Sequence, residues 1–168
     1  MKFSNSAVTA AVVLAVAAMT HTLPAHAAVS ASNAAGSCQG NLPASDTNLR
    51  NRPLAIKNEG SSNAFVTCSV TTPHNQDTVD DAVVILTNTT AAAINVSCTF
   101  VDGGLQPNVA FYPKTVTLAP NAFTPIIWTP EEFSLTTFSA FANFSCNVPP
   151  GVELNVVGVD YTDSTPVR

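Results

Sequence analysis

Histidine, charge of either sign and helical periodicity are all scarce in this sequence, and each scarcity removes a class of activity. Six residues are Lys or Arg and eleven are Asp or Glu, so charged residues make up 10% of the 168-residue chain. The basic residues form no cluster and the net charge is −5, a balance that repels phosphate backbones, so nucleic acid is not an expected partner. Two of the three histidines, His21 and His26, lie near the N-terminus, which leaves His74 as the sole candidate base beyond it. A serine triad needs such a base beside a nucleophile, and no GxSxG elbow accompanies it; His74 reads as a solvated loop histidine. A cupredoxin-type copper site needs two histidines and a free cysteine, which the chain does not supply. No CxxC spacing occurs, which argues against zinc.

Carboxylates offer no better a constellation. Asp77, Asp80 and Asp81 cluster, yet match no EF-hand spacing, and read as a solvated acidic loop rather than a calcium site. Glu131 and Glu132 are sequence neighbours whose side chains diverge, and Glu153 falls on an outward strand position, so no glycosidase pair emerges. The expectation is a protein that is not an enzyme, with no catalytic residue, no metal and no cofactor.

Long apolar runs are equally few. Ala7 to Met19 is the longest, short of the roughly 20 residues that span a bilayer. With Lys2 before it and Ala25-His26-Ala27 behind it, residues 1–27 have the three-part layout of a signal peptide cleaved after Ala27. The protein is therefore expected outside the cytoplasm, periplasmic or extracellular, with no transmembrane segment in the mature chain. Residues 28–37 read as a flexible lead-in and 38–168 as one β domain.

What the chain does have is alternation. Ala64, Val66, Cys68 and Val70 face one way, as do Ile94, Val96, Cys98 and Phe100, with Asn95, Ser97 and Thr99 opposite. In the stretch from Phe138 to Tyr161, Ala142, Phe144 and Cys146 alternate with Phe141, Asn143 and Ser145. Val148-Pro149-Pro150-Gly151 then turns the chain into Val152, Leu154 and Val156. The phase shifts at Val157-Gly158-Val159, which predicts a β-bulge there. Two hairpins are expected, one from Pro53 to Val70 and one across Pro149-Pro150-Gly151. Ala82 to Thr87 reads as a central strand, Lys114 to Leu118 as a strand with Val116 and Leu118 inward, and Pro120 to Trp128 as an edge strand. Cys38 to Asn51 reads as mostly loop, and Thr129 to Glu132 opens one helical turn. About eight short strands predict an all-β antiparallel sandwich, Ig-like or jelly-roll-like, with no internal repeat.

Four cysteines in an oxidising compartment imply two disulfides with three possible connectivities; we favour Cys38–Cys68 and Cys98–Cys146. The segments RPLAIKNEGSSNAFVTCSV, NVSCTF and FSCNVPPGVELNVVGV resemble a group of small secreted bacterial β-sandwich proteins with a closing C-x-x-P-P-G hairpin. The resemblance spans Cys38 to Tyr161, implies fold and compartment, and brings no catalytic residue. In a bacterial protein the sequons at Asn88, Asn95 and Asn143 go unused, leaving a Thr/Asn ladder face.

Two partners suit such a chain. One is a protein of the envelope or secreted milieu, met by a sheet face or edge in a non-enzymatic structural role. The other is a glycan, bound by exposed aromatics around Trp128 and Phe133, with Phe65, Phe138 and Phe141 as further candidates.

Overall fold

A computed structural model describes residues 28–41, 48–104 and 108–163. The proposed signal peptide lies outside them. The described residues contain eleven strands: β1 (Ala28–Ala34), β2 (Gln39–Gly40), β3 (Leu49–Arg52), β4 (Ala55–Asn58), β5 (Ala64–Thr71) and β6 (Thr78–Asn88), then β7 (Ile94–Asp102), β8 (Ala110–Leu118), β9 (Phe123–Trp128), β10 (Phe141–Val148) and β11 (Val152–Thr162). They form two antiparallel sheets packed face to face. Sheet I has the order β3-β4-β11-β6-β9, with β1 beside the second half of β11; sheet II has the order β2-β5-β10-β7-β8.

Strands β4 to β11 alone give the eight-stranded jelly roll, with β4-β11-β6-β9 facing β5-β10-β7-β8. In this topology consecutive strands mostly cross between sheets. Neither expected hairpin exists: β4 and β5 lie in opposite sheets, and so do β10 and β11. Alternation and a Pro-Gly turn describe an arch over the core as well as they describe a hairpin, because both keep each strand's apolar face inward. The proposed lead-in is also structured. Ala28 to Ala34 runs antiparallel along β11, from Ala28 opposite Thr162 to Ala34 opposite Val156, covering an edge that β4 leaves bare. Part of the expected Cys38–Asn51 loop is likewise strand, as β2 and β3.

The phase shift in β11 is present, with Val157, Val159 and Tyr161 buried. Its register shifts fall between Leu154 and Val156 and between Asp160 and Tyr161, not at the glycine. Gly158 answers another need: a Cβ there would sit 3.2 Å from Ala31 O and 3.4 Å from Val83 Cγ1, where β1 and β6 close over it.

Inward residues of both sheets make one core. Its centre is aromatic: Phe100 lies 4.8 Å from Phe138, 5.5 Å from Phe144 and 6.0 Å from Trp128, centroid to centroid. Both favoured disulfides are present. Cys38–Cys68 ties the N-terminal arm to β5, and Cys98–Cys146 joins directly opposed residues of β7 and β10. Closing loops of 30 and 48 residues stabilises the fold by about 3 to 4 kcal/mol each in the chain-entropy model.

Two buried asparagines hold the arches at one end. Asn58 Oδ1 accepts from Gly60 N at 2.9 Å, while its Nδ2 donates to Ser62 O at 2.8 Å and Val148 O at 2.7 Å. Asn88 repeats this thirty residues on: Oδ1 accepts from Thr90 N at 2.9 Å, and Nδ2 donates to Ala92 O at 2.7 Å. The same offset relates Val66 to Val96 and Cys68 to Cys98, so β4–β5 and β6–β7 are two copies of one arch. The two arches correspond in these matched hydrogen bonds and spacings rather than in a sequence repeat. The Pro149-Pro150-Gly151 arch is stitched between them, through Gly151 N to Asn58 O at 2.8 Å and Thr89 Oγ1 to Gly151 O at 2.7 Å.

Candidate functional site

Trp128 cannot offer a surface. It is fully buried, and its Nε1 donates to Tyr112 O at 2.7 Å. Phe133, on the turn from Pro130 to Phe133, is half-buried on the inner side, 4.3 Å from the Tyr112 ring. That turn has a capping box in which Thr129 and Glu132 satisfy each other's backbone. Lys114 sits between these groups, about 6 Å from the rings of both Trp128 and Phe133. It pairs with Glu132, and that hydrogen bond holds the Glu132 carboxyl below its ordinary range. These residues are brought together as packing, with Phe138 in the core behind them.

The other candidates scatter. His74 is exposed, its backbone N held by Asp77 Oδ2 at 3.0 Å. Asp80 accepts from Thr162 Oγ1 at 2.8 Å. Asp81 lies directly across from Asp160 on β11, and its carboxyl is pushed above the ordinary range by burial first and by Asp160 second. Among the described residues no three of His, Cys, Asp and Glu converge on a metal-sized space.

β9 is an edge strand of sheet I, as its proline predicts, but a poor acceptor for a partner strand. Ile127 and Pro125 share the parity that faces the free edge. Pro125 has no N–H to give, and Ile127 O is already taken by Lys114 Nζ at 2.5 Å.

The outer face of sheet II is different. Its strand registers lay the outward residues in rows: Ser69–Asn143–Val101–Phe111, then Thr67–Ser145–Thr99–Pro113, then Phe65–Asn147–Ser97–Thr115. Asp102 and Lys114 are the two charged residues in these strands, and both occupy inward-phase positions, so the rows carry no charge. Neighbouring side chains bond within the face: Ser69 Oγ to Asn143 Oδ1, Ser97 Oγ to Thr115 Oγ1, and Thr117 Oγ1 to Asn95 Oδ1, each at 2.7 Å. This is the Thr/Asn ladder that the alternation implies. Asn147 Oδ1 is buried with no hydrogen-bond partner, an omission that ordinarily costs about 1–3 kcal/mol.

Phenylalanines bound the rows. Phe141 and Phe111 stand at one end and Phe65 at the other, exposed by 44%, 61% and 47%. Strand geometry separates Phe111 from Phe141 by two inter-strand steps and one two-residue step, roughly 12 Å. The sequence points to Phe65 and Phe141 but not to Phe111. Its signal is there, in the alternation of Phe111, Pro113, Thr115 and Thr117 against Tyr112, Lys114 and Val116, once β8 is extended back to Ala110.

No family model and no curated protein matches the chain. Among solved structures it is similar to a Podospora anserina GH26-CBM35 β-(1,4)-mannanase, at 8% identity and TM-score 0.49 over 82% of this chain and 28% of that one. It is also similar to a "Family 16 Carbohydrate Binding Module-2", at 9% identity and TM-score 0.36 over 65% and 76% of the two chains. A third is the Agl-KA catalytic domain, at 11% identity and TM-score 0.37 over 84% and 29%. Overlaps this loose carry no function from one chain to another.

Proposed function

We propose that the protein is a non-catalytic, exported binding module that takes neutral glycan chains on the outer face of sheet II. One observation carries this reading: an uncharged grid of hydroxyl and amide groups bounded by exposed phenylalanine rings. Neutral sugars need hydroxyl partners and apolar platforms and have no use for ion pairs, which is what these rows supply and omit. Two disulfides suit life outside the cytoplasm, and no described helix is long and apolar enough to cross a membrane. The platform is not Trp128. A protein partner meeting the β9 edge is less well served, because Pro125 and Lys114 blunt that edge.

Affinity electrophoresis of the disulfide-bonded protein in gels containing β-glucan, mannan or xylan tests the reading. Retardation by at least one of them, unchanged by added salt, is the expected result. Trp128 emission should stay blue-shifted and unquenched by iodide, with or without polysaccharide. Migration unaffected by every neutral polysaccharide sinks the proposal.

A further inference from the structure

The glycan face leaves one end of sheet II unexplained. Past the last paired residues of β7 and β10 lies a cleft of about 480 Å³, lined by Gly103, Gly104, Asn108, Ser139 and Phe141. The wall on the Gly103, Ser139 and Phe141 side is held in place. Asp102 Oδ1 accepts from Ser139 N at 2.8 Å and also from the Ser139 hydroxyl, and Gly103 N donates to Phe141 O at 3.1 Å. Both glycines are needed for the shape. Gly103 has φ +103°, and a side chain there would collide with the Asn108 carbonyl. A Cβ on Gly104 would stand 3.3 Å from Phe141 Cγ, so the backbone approaches the ring with nothing between them.

The cleft therefore presents an aromatic ring, bare glycine backbone, one amide and one hydroxyl, while the adjacent Asp102 carboxylate is engaged by its own loop. A pyranose has the matching parts: a C–H face for the ring, a rim hydroxyl for Asn108, and a hydroxyl that can donate to the Ser139 oxygen, whose own proton is given to Asp102. The position matters too. The rows of the face stop at Phe141 and Val101, so a chain laid along β10 reaches the cleft with its last unit.

We propose that this cleft seats the terminal sugar of a bound chain, so that the protein grips neutral glycans by an end as well as along the face. The inference rests on the glycan reading above and is separable from it. Calorimetry would use neutral hexasaccharides of β-glucan, mannan and xylan type, each also prepared with its reducing or its non-reducing end blocked. Asn108→Ala and Gly104→Ala alter the cleft, and Phe111→Ala alters only the face. Blocking one end, or Asn108→Ala, should weaken hexasaccharide binding about tenfold. Retention by the long polysaccharide should hold nearly at the unmodified level. Asn108 lies on the surface and its replacement leaves the core intact; thermal melts check the same for Gly104→Ala. If hexasaccharides bind and Phe111→Ala weakens them, while end-blocking and both cleft variants change nothing, end-gripping is wrong and the face survives. If no hexasaccharide or polysaccharide binds at all, both ideas fall.

Discussion

Sheet I turns its charges outward and the outer face of sheet II carries none, although the two bury the same kind of apolar inner surface. On sheet I, Lys57 pairs with Glu153 at 3.2 Å across β4 and β11, and Arg50 and Arg52 converge on Glu59 at the end of β4. Asp81 faces Asp160 on the same side, beside an apolar strip of Val83, Ile85, Pro125 and Ile127. Sheet II has the hydroxyl grid instead. A face free of charge across four strands is what the proposed binding of neutral chains requires, because a charge there would be desolvated without a partner.

The strongest way to break the comparison is to put a charge where none stands. Thr99→Lys should abolish polysaccharide retention, an effect of about a hundredfold or more, because the ammonium would be desolvated without a partner. Ile127→Lys, the same charge on sheet I, should leave retention alone. Stability should move by no more than about 0.5 kcal/mol in either variant. Affinity electrophoresis beside thermal melts reads both.

A matched pair of rings sharpens it further. Phe111 on sheet II and Phe123 on sheet I are exposed by 61% and 73%. Phe111→Ala should weaken glycan binding about tenfold and Phe123→Ala should not, as judged by calorimetry. Equal losses would mean that exposure alone, not the face, decides.

Smaller effects belong to the charged sheet. Asp81→Asn removes a like-charge pair directly across β6 and β11 and should stabilise the fold by a few tenths to about 1 kcal/mol at neutral pH. The sign with pH follows from its raised carboxyl. The folded state binds the proton more tightly than the unfolded one, so this contribution improves as pH falls through the raised value and levels off below the ordinary 3.8. Denaturant titrations at pH 7 and pH 4 should show the variant's advantage shrinking in acid. The least effect is expected from Glu59→Gln. The Arg52 hydrogen bond lowers the Glu59 carboxyl, so its contribution is present above the ordinary carboxylate range and fades as pH drops. In so exposed a group the melting midpoint should shift by no more than about a degree.

Much of sheet II was legible in the sequence because one face is buried and the other wet, and period-two alternation reports that directly. Asn95, Ser97, Thr99, Asn143 and Ser145 could be assigned outward before any strand was paired, and inward Cys98 and Cys146 pointed to one disulfide, with Cys38 left to tether a loop to Cys68. Pairing partners were not legible. The turns at Glu59 to Asn63 and at Pro149 to Gly151 have the same composition whether the chain doubles back in one sheet or arches to the other. β1 escaped because Ala-Val-Ser-Ala-Ser-Asn-Ala has few large side chains, and its strand conformation is dictated by the open edge of β11. The matched arches escaped because their geometry rests mainly on Asn58 and Asn88, while Thr90 and Ala92 stand where Gly60 and Ser62 do. Trp128 was the harder residue to place: a lone tryptophan in such a sandwich is more often core than platform, and here it is core.

β11 is the last strand among the described residues and also the centre of sheet I, paired with β1, β4 and β6. Sheet II is complete once residue 148 is available, whereas sheet I must wait for residues 152–162. Contacts such as Ser30 with Asp160 span 130 positions of sequence, the hallmark of high contact order and slow folding. Until β11 docks, β4 and β6 each present an unpaired edge, the arrangement most prone to mispairing with another chain. Assembly of sheet I is therefore gated by β11. A chain cut short before Val152 should form sheet II and its Cys98–Cys146 link, yet aggregate through the vacant lane between β4 and β6.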